Sequence, residues 1–416
     1  MRIDLKVKNF DAKIIWILTA FLLCAFYLFA FNTWGRYVLV VVAVLIFALG
    51  VAIPRGIGYK VEIGPYHIFL MVFTLYTFLS AIWSVERSAT IQKAQTLFQI
   101  FLCYSLIYAY YAKLDSVRSL WDCVMWGGYF IAAYSIIAYG GISNVMSLVQ
   151  AAHRLDNIFV NINSIAMICA IACVVQFHRI LCKKEYLSAI FAIPAIIMIA
   201  ATQTRKAIIL LALGTIAAVI LKNFEGKKLL KSVIGIIVSV FVAVLVLRFL
   251  LSLEIFAGVN ERMEKLVNML TGEGEGGASA ETRQLYIEVG LQKFMEKPFL
   301  GAGIGSSGSL LAQVAGYKTY FHNNFVEMLA CGGIVGFAVY YSSYAYLIYN
   351  LLKLRRFSRN EADICLILLV ILLLVDYGMV SYSSKSQYFY FMICFLQVVI
   401  LKRKRGEMLN EAKEVA

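Results

Sequence analysis

The stretch that decides the fold runs from residue 324 to residue 351 and reads NFVEMLACGGIVGFAVYYSSYAYLIYNL. Glu327 is its only charged residue. A helix needs roughly 20 predominantly apolar residues to cross a hydrocarbon core of about 30 Å, and this stretch is longer than that. We therefore predict that it spans a membrane.

The same pattern recurs along the rest of the chain. The 416 residues are 62% hydrophobic and 15% charged, and only four of them are proline, which is far outside the range of ordinary soluble domains. The sequence therefore predicts an all-α polytopic membrane protein. Its twelve predicted spans are 14–32, 37–54, 66–84, 94–112, 121–140, 159–178, 186–203, 207–222, 232–251, 324–351, 363–382 and 387–401.

The connections between these spans set the orientation. Lysine and arginine are concentrated in alternate connections, and all of those fall on one side when the N-terminus is cytoplasmic. The positive-inside rule therefore predicts that both termini are cytoplasmic. The net charge of +14 then reflects topology and attraction to anionic membrane lipid. Nucleic-acid binding is disfavoured because the basic residues form no single patch.

One connection differs from the others. Residues 252–322 form a long outer segment, and loops of that length are commonly functional or domain-like. Within it we expect a helix over 282–296 that ends before Lys297-Pro298, preceded by a mobile linker over 271–277. The predicted organisation is 1–251 with spans one to nine, 252–322 as an outer subdomain, 323–401 with the last three spans, and 402–416 as a cytoplasmic tail.

Two arginines stand beside apolar spans on the predicted outer side. Arg205 follows the seventh span, with Lys206 next to it, and Arg283 lies in the first turn of the outer helix. A charged side chain near hydrocarbon is costly, which favours a functional role for it. The planar guanidinium group of arginine can bind two phosphate oxygens at once. The alternatives are that Arg205 snorkels to the interface and that Arg283 lies on a solvated helix face.

A histidine opens the tenth span. His322 precedes Asn323 and Asn324, and Glu327 follows on the same helix. A neutral imidazole can accept a proton from a sugar hydroxyl near pH 7, and the adjacent amides can orient that sugar. The alternative is a histidine that caps the helix. Glu327 is expected to orient the imidazole, to act as the base itself, or to form hydrogen bonds within the bundle.

A fourth cluster precedes the sixth span. His153, Arg154, Asn161 and Asn163 offer cationic and amide groups at a membrane entry, where they can contact phosphate or glycan. Helix capping by the two asparagines is an equal alternative. The spaced glycines at 301–305 indicate a turn rather than a nucleotide-binding loop, because no strand precedes them.

Four strings in order carry a family resemblance. HRLDNIFVNINSIA (153–166), TQTRKA (202–207), ETRQLYIEVGLQKFMEKPFLGAGIGS (281–306) and HNNFVEMLACGGIVG (322–336) together resemble the O-antigen ligase and O-antigen polymerase superfamily. That resemblance implies a fold like the C-type glycosyltransferases, with about twelve membrane helices and one large extracytoplasmic loop. It also implies metal-independent, inverting transfer of a glycan from undecaprenyl pyrophosphate, with no cofactor. The family's two arginines and histidine map onto Arg205, Arg283 and His322.

The resemblance also sets expectations about location and partners. It places the enzyme in the bacterial cytoplasmic membrane with its site on the outer face. A lipid-linked oligosaccharide is the donor, and a glycan or a lipid-linked molecule is the acceptor. A flippase and a chain-length regulator are implied as further partners.

Chemistry read from the residues agrees with this expectation. The chain has no D-x-D motif to hold a divalent ion against a nucleotide sugar, so side chains must stabilise a leaving pyrophosphate. We favour a polymerase over a ligase because nothing in the sequence identifies a lipid A-core acceptor. A transporter of the same lipid-linked glycan is a second class, and Asp376, an ionisable residue within a span, is its main support.

Overall fold

The structure is a computed structural model that describes residues 2–28, 34–53, 63–151, 155, 161–223, 241, 248, 252, 260 and 278–414. These residues are helical or lie in turns, and none of them forms a strand. The chain divides into two compact units. The first comprises Met1–Val42, Ser116–Glu275 and Arg355–Ile371, and the second comprises Ala43–Asp115, Gly276–Leu354 and Leu372–Ala416.

The described helices follow the predicted apolar runs closely. A π-helical turn (Ala48–Ala52) extends the second helix, and a 3-10 turn (Leu187–Ala192) leads into the eighth. In chain order the helices are α1 (Arg2–Leu28), α2 (Trp34–Phe47), α3 (Pro65–Ser80), α4 (Arg87–Tyr111), α5 (Arg118–Ala138), α6 (Ile142–Gln150), α7 (Ile162–Lys183), α8 (Ile193–Ala201), α9 (Arg205–Asn223), α10 (Ala278–Glu296), α11 (Ser307–Ala315), α12 (Asn324–Leu354), α13 (Arg359–Gly378) and α14 (Lys385–Glu414).

A helix overlaps every predicted span except the ninth. That span, 232–251, lies outside the described residues apart from two single positions, as does the predicted linker at 271–277. Among the described helices, α5, α7, α9 and α12 are long and apolar enough to cross a membrane. The all-helical membrane class is therefore confirmed, while the number twelve and the outer location of 252–322 stay predictions.

The first unit is built around α7, which packs against α1, α5, α8 and α9. Small residues bring these helices close together. A Cβ atom added to Gly128 of α5 would lie 2.5 Å from the Cβ of Ala172, and one added to Gly214 of α9 would lie 2.8 Å from Val174. Close backbone approach through small residues is typical of helix packing in membranes.

The second unit is organised by a break in α12. Gly333 has φ +61° and ψ −171°, and the chain reverses there. The Asn324 side-chain amide lies 3.1 Å from the Tyr341 hydroxyl although 17 residues separate them, a spacing of about 25 Å in a straight helix. Phe325 also stacks on Tyr341, with ring centroids 4.8 Å apart. The apolar helix predicted over 324–351 is therefore present but broken at Gly333, which the sequence did not predict. Residues 324–332 form a short arm that folds back along a long arm, 334–354.

Residues 298–303, which we call the clasp, close this break. A helix that stops inside apolar surroundings leaves backbone groups unpaired, and each such group costs several kcal/mol. Four backbone hydrogen bonds supply the missing partners. They run from Ala302 N to Ala330 O (2.9 Å), Gly303 N to Cys331 O (2.8 Å), Ile334 N to Pro298 O (2.8 Å) and Val335 N to Phe299 O (3.2 Å).

Helix α3 and the turn after it support the clasp from the other side. The Tyr76 hydroxyl donates to the Gly332 carbonyl, and the Val85 amide donates to the Ala302 carbonyl over 3.0 Å. Gly303 has φ +99°, a conformation that residues with a side chain rarely adopt. It also lies against Ser84, so a Cβ atom there would collide with that residue. The interpretation of the spaced glycines as a turn is confirmed.

The predicted helix before the clasp is also present. α10 ends at Glu296, directly before Lys297-Pro298, as proline requires. The sequence did not predict the second helix, α11. Both helices pack on the short arm of α12. The shared apolar core consists of Tyr286, Leu311, Phe321, Val326, Ala330 and Cys331.

Replacing Gly333 with alanine tests the break. A Cβ atom there would collide with the backbone of Phe299 and Gly301, in a left-handed conformation that L-residues avoid. We expect Gly333→Ala to lower the free energy of unfolding in detergent by about 2–5 kcal/mol, from strain and collision together. Gly316→Ala is the matched control, because Gly316 has φ +75° but open space around it, and it should cost only about 1–2 kcal/mol. An equal loss of unfolding free energy in the two variants would show that the clasp does not pack closely against Gly333.

Candidate functional site

His322 occupies a strained turn at the start of α12. Its φ of +55° is left-handed, which costs about 1–2 kcal/mol for a residue with a side chain. Asn323 fixes the next residues, because its side-chain oxygen accepts hydrogen bonds from the backbone amides of Phe325 (2.9 Å) and Val326 (3.2 Å). Asn323 is therefore the N-cap of the short arm. Strain held in place by its surroundings is typical of functional sites.

Glu327 holds the same turn from within the core. Its side chain is almost completely buried, at 2% exposure. One carboxylate oxygen accepts a hydrogen bond from the Ser307 hydroxyl (2.7 Å) and the other from the Phe321 backbone amide (3.3 Å). Since Phe321 precedes His322, Glu327 anchors the backbone that presents the histidine. The geometry favours this structural role over that of a base.

Two tyrosines flank the imidazole and connect it with Arg283. The His322 ring lies 4.1 Å from the Tyr320 ring and is stacked 6.1 Å from Tyr286, centroid to centroid. Tyr286 lies one turn after Arg283 on α10, so the two share a helix face. Burial raises the pKa of the Tyr320 phenol, and the positive charge of Arg283 acts against that rise. The structure therefore brings Arg283 and His322 together around Tyr320.

Asn324 ties the short arm to the turn after α13. Its side-chain oxygen accepts hydrogen bonds from the backbone amides of Ser381 (3.0 Å) and Tyr382 (3.1 Å). Its amide nitrogen donates to the Tyr341 hydroxyl, as described above. Both ends of this amide are thus engaged within the fold, which gives Asn324 a positioning role.

Asp376 is part of the same network. It is fully buried, and it accepts hydrogen bonds from the hydroxyls of Tyr344 (2.9 Å), Tyr341 (3.2 Å) and Ser381. Gln387 of α14 donates in turn to the Tyr344 hydroxyl over 2.8 Å. A buried polar network with its members paired fixes the packing of the helices that contribute to it. Asp376 therefore has structural partners that account for its burial.

Arg205 lies in the first unit, at the first position of α9, with Lys206 beside it. Both are half-buried. The preceding turn is tightly held, because Gln203 has φ +49° and the Thr204 hydroxyl donates to the Asn163 side-chain oxygen over 3.2 Å. Asn163 thus connects the start of α7 with the turn that carries Arg205.

The fourth predicted cluster is only partly described. His153 and Arg154 lie outside the described residues, so their role stays a prediction. Asn161 is the N-cap of α7, since its side-chain oxygen accepts a hydrogen bond from the Asn163 backbone amide over 2.9 Å. Among the described residues, no group of histidine, cysteine and acidic side chains is arranged to hold a metal ion.

Comparison with known families adds to this geometry. Residues 190–341 match the O-antigen ligase family model. The matched region contains Arg205, Arg283 and His322, together with the clasp and the break in α12. It is consistent with the O-antigen ligase and polymerase superfamily, which confirms the resemblance found in the sequence. No curated protein matches the chain.

Sequence reasoning missed an ion pair that joins Lys318, inside the O-antigen ligase match, to Glu86, outside it. The Lys318 ammonium pairs with Glu86 at the start of α4, and the Ser309 hydroxyl donates to the same carboxylate over 2.6 Å. The hydrogen bond from Lys318 lowers the pKa of Glu86 most, and the hydrogen bond from Ser309 lowers it further. The contact restrains the segment that leads into Tyr320 and His322. No local sequence motif indicates this ion pair, because Glu86 and Lys318 are 232 residues apart.

The lowered pKa of Glu86 predicts how this contact depends on pH. Its stabilisation is present above the unfolded-state value of 4.5 and is lost as the pH falls through the lower folded-state value. We expect Glu86→Gln to unfold about 1 kcal/mol more easily than the parent at pH 7. That gap should shrink as the pH falls below 4.5.

The measurement is denaturant unfolding in detergent across this pH range. Lys318→Met should reproduce the loss at pH 7, since it removes the other partner. A gap that is constant down to pH 3 would show that the ion pair does not contribute.

Proposed function

We propose that this protein is a polymerase of cell-surface polysaccharide such as O-antigen or capsule repeats. It transfers a growing glycan from undecaprenyl pyrophosphate to an acceptor repeat, with inversion and without a metal ion, at the outer face of the bacterial cytoplasmic membrane. The observation that supports this most is the strained His322 beside Tyr320, within reach of the Arg283 charge, inside the region that matches the O-antigen ligase family.

The proposed reaction follows from the chemistry of these side chains. Arg283, Arg205 and Lys206 bind the pyrophosphate and stabilise the negative charge that develops as it leaves. His322 accepts the proton of the acceptor hydroxyl. The acceptor oxygen forms a bond to the anomeric carbon on the face opposite the breaking carbon–oxygen bond, which inverts the configuration. The leaving group departs as the lipid pyrophosphate.

The neighbouring polar residues act mainly by positioning these groups. Asn323, Asn324 and Glu327 hold the turn that presents His322. Asn163 holds the turn that presents Arg205, and Asn161 caps the helix beside it. His153 and Arg154 are proposed to contact the phosphate or glycan at the membrane entry.

A ligase is the second candidate function, and the description of the matching family favours it. The same chemistry would then transfer the glycan to lipid A-core or another acceptor. The transport alternative loses support, since Asp376 is engaged by three hydroxyl groups. In either glycosyl-transfer role we expect a flippase to supply the lipid-linked glycan. In the polymerase role we also expect a chain-length regulator to limit the product.

One incubation separates these functions. Purified protein is mixed with undecaprenyl-pyrophosphate-linked oligosaccharide in the presence of EDTA, and the glycans are resolved on a gel. A ladder of lengths is expected for the polymerase, and His322→Ala should remove it. Donor consumption only after addition of a separate lipid acceptor would show a ligase. No consumption, combined with movement of the lipid-linked glycan across vesicles, would overturn both.

Lysine substitutions test the phosphate contacts. A lysine retains the charge of Arg205 or Arg283 but loses the planar fork that binds two phosphate oxygens at once. We expect either variant to lose roughly 10- to 100-fold in kcat/KM, equivalent to about 1.4–2.8 kcal/mol. Arg118→Lys is the control, because Arg118 is exposed in an ion pair with Glu185, and it should retain full activity. Full activity in both Arg205→Lys and Arg283→Lys would rule out the proposed role.

The pH dependence of kcat distinguishes His322 from Glu327. We expect His322→Ala to lower kcat by about 10²- to 10⁴-fold and to remove the part of the pH dependence that belongs to the catalytic base. Glu327→Gln should lower kcat about 10-fold while keeping that pH dependence, because the proposed base is still present. If the profile survives in His322→Ala, the histidine is not the base. If the pH profile disappears in Glu327→Gln, the Glu327 carboxylate is the base.

A further inference from the structure

An exposed apolar surface surrounds the break in α12. Its members come from the turn after α3, from the clasp and from the start of the long arm. We call this surface the apolar rim, and it consists of Ile82, Trp83, Phe299, Leu300, Ile334 and Val335. Ile82 is 78% exposed, Phe299 73% and Ile334 52%. Phe299 and Leu300 belong to the predicted outer segment 252–322, whereas the other four rim residues lie within predicted spans.

Hydrogen bonds hold the three parts of the rim together. The Trp83 ring nitrogen donates to the Leu300 carbonyl over 3.2 Å, and the Val335 amide donates to the Phe299 carbonyl over 3.2 Å. The Trp83 ring also meets Tyr76 edge-on, at 6.2 Å between centroids. Hydrogen bonds thus join the three parts of the rim into one surface.

The length of the long arm places the rim relative to a membrane. Residues 334–354 would extend about 31 Å as a helix, which matches the hydrocarbon thickness of about 30 Å. No charged residue occurs over 334–352, whereas Lys353, Arg355 and Arg356 follow at the far end. Ile334 therefore lies about one hydrocarbon thickness from the basic end of α12, at the opposite membrane boundary.

The rim also continues the apolar surface of α3. Ile68, Val72, Leu75 and Leu79 of that helix are all exposed, and Ile82 follows them directly. Neither 63–85 nor 298–317 contains a charged residue. A tryptophan whose ring nitrogen is paired and whose ring is otherwise apolar is typical of a membrane interface.

We propose that the apolar rim inserts into the membrane boundary opposite the basic end of α12, among the lipid headgroups and the first acyl carbons. The clasp is then an interfacial anchor as well as the element that closes the helix break. By holding the clasp at a fixed depth, the bilayer sets the height of the α12 break. This proposal does not depend on the reaction that the protein catalyses.

Depth-dependent fluorescence quenching tests the anchor. Single cysteines replace Phe299 and Ile82 in a background with Cys24→Ala and Cys182→Ala, because the other native cysteines are buried. Each variant carries an environment-sensitive fluorophore and is reconstituted into phosphatidylglycerol–phosphatidylethanolamine vesicles. Val72→Cys, in the middle of α3, is the lipid-exposed control, and Glu288→Cys, exposed on α10, is the aqueous control.

We expect the Phe299 and Ile82 labels to be quenched at least about twofold more by lipids with a nitroxide near the headgroup than the Glu288 label is. The Val72 label should respond most to a nitroxide deep in the acyl chain. Trp83 gives a label-free repeat, since shallow brominated lipids should quench the parent protein more than Trp83→Phe. Both readouts use variants whose folding is checked by their unfolding temperature.

Two results would overturn the proposal. One is quenching of the Phe299 and Ile82 labels by iodide to the same extent as the Glu288 label, with no effect of lipid nitroxides. The other is cross-linking of Phe299→Cys between two copies together with protection from both lipid and iodide, which would show that the rim is a protein–protein interface.

Discussion

The second unit depends on one constraint, which is that a helix broken in apolar surroundings must find partners for its freed backbone groups. At Gly333 those partners come from the clasp, and the Tyr76 hydroxyl of α3 provides one more. Because unpaired backbone groups cost several kcal/mol each in such a medium, the clasp and α12 form only as a pair. Gly301 and Gly333 have no side chains, so the backbones of the clasp and α12 can lie at hydrogen-bonding distance.

The proposed catalytic histidine inherits its position from this arrangement. The fold-back of the short arm brings Asn324 beside Tyr341, and the hydrogen bonds continue from Tyr341 to Asp376. His322 lies two residues before Asn324 in the turn that begins this arm. Glu327 and Asn323 then hold the left-handed turn from both sides. The strained conformation of His322 is therefore held by hydrogen bonds of its neighbours in the chain.

The sequence predicted those parts of the structure that depend on composition and local pattern. Apolar runs located the helices, and Lys297-Pro298 located the end of α10. It failed at α12, because a pair of glycines inside an apolar run gives no sign that the chain reverses there, and the contacts that stabilise the reversal come from other segments. The proposed site residues Arg283 and His322 were found from their chemistry. Tyr320 and Tyr286 were missed, since their importance lies in the rings' placement against the imidazole.

The proximity in sequence of the clasp and the α12 break has a consequence for biosynthesis. Both lie within 298–335, so at roughly 5–20 residues per second they leave the ribosome within a few seconds of each other. The freed backbone groups and their partners in the clasp therefore reach the membrane almost together. The polar contacts of α12 are completed later, because Asp376, Ser381 and Tyr382 are made after it.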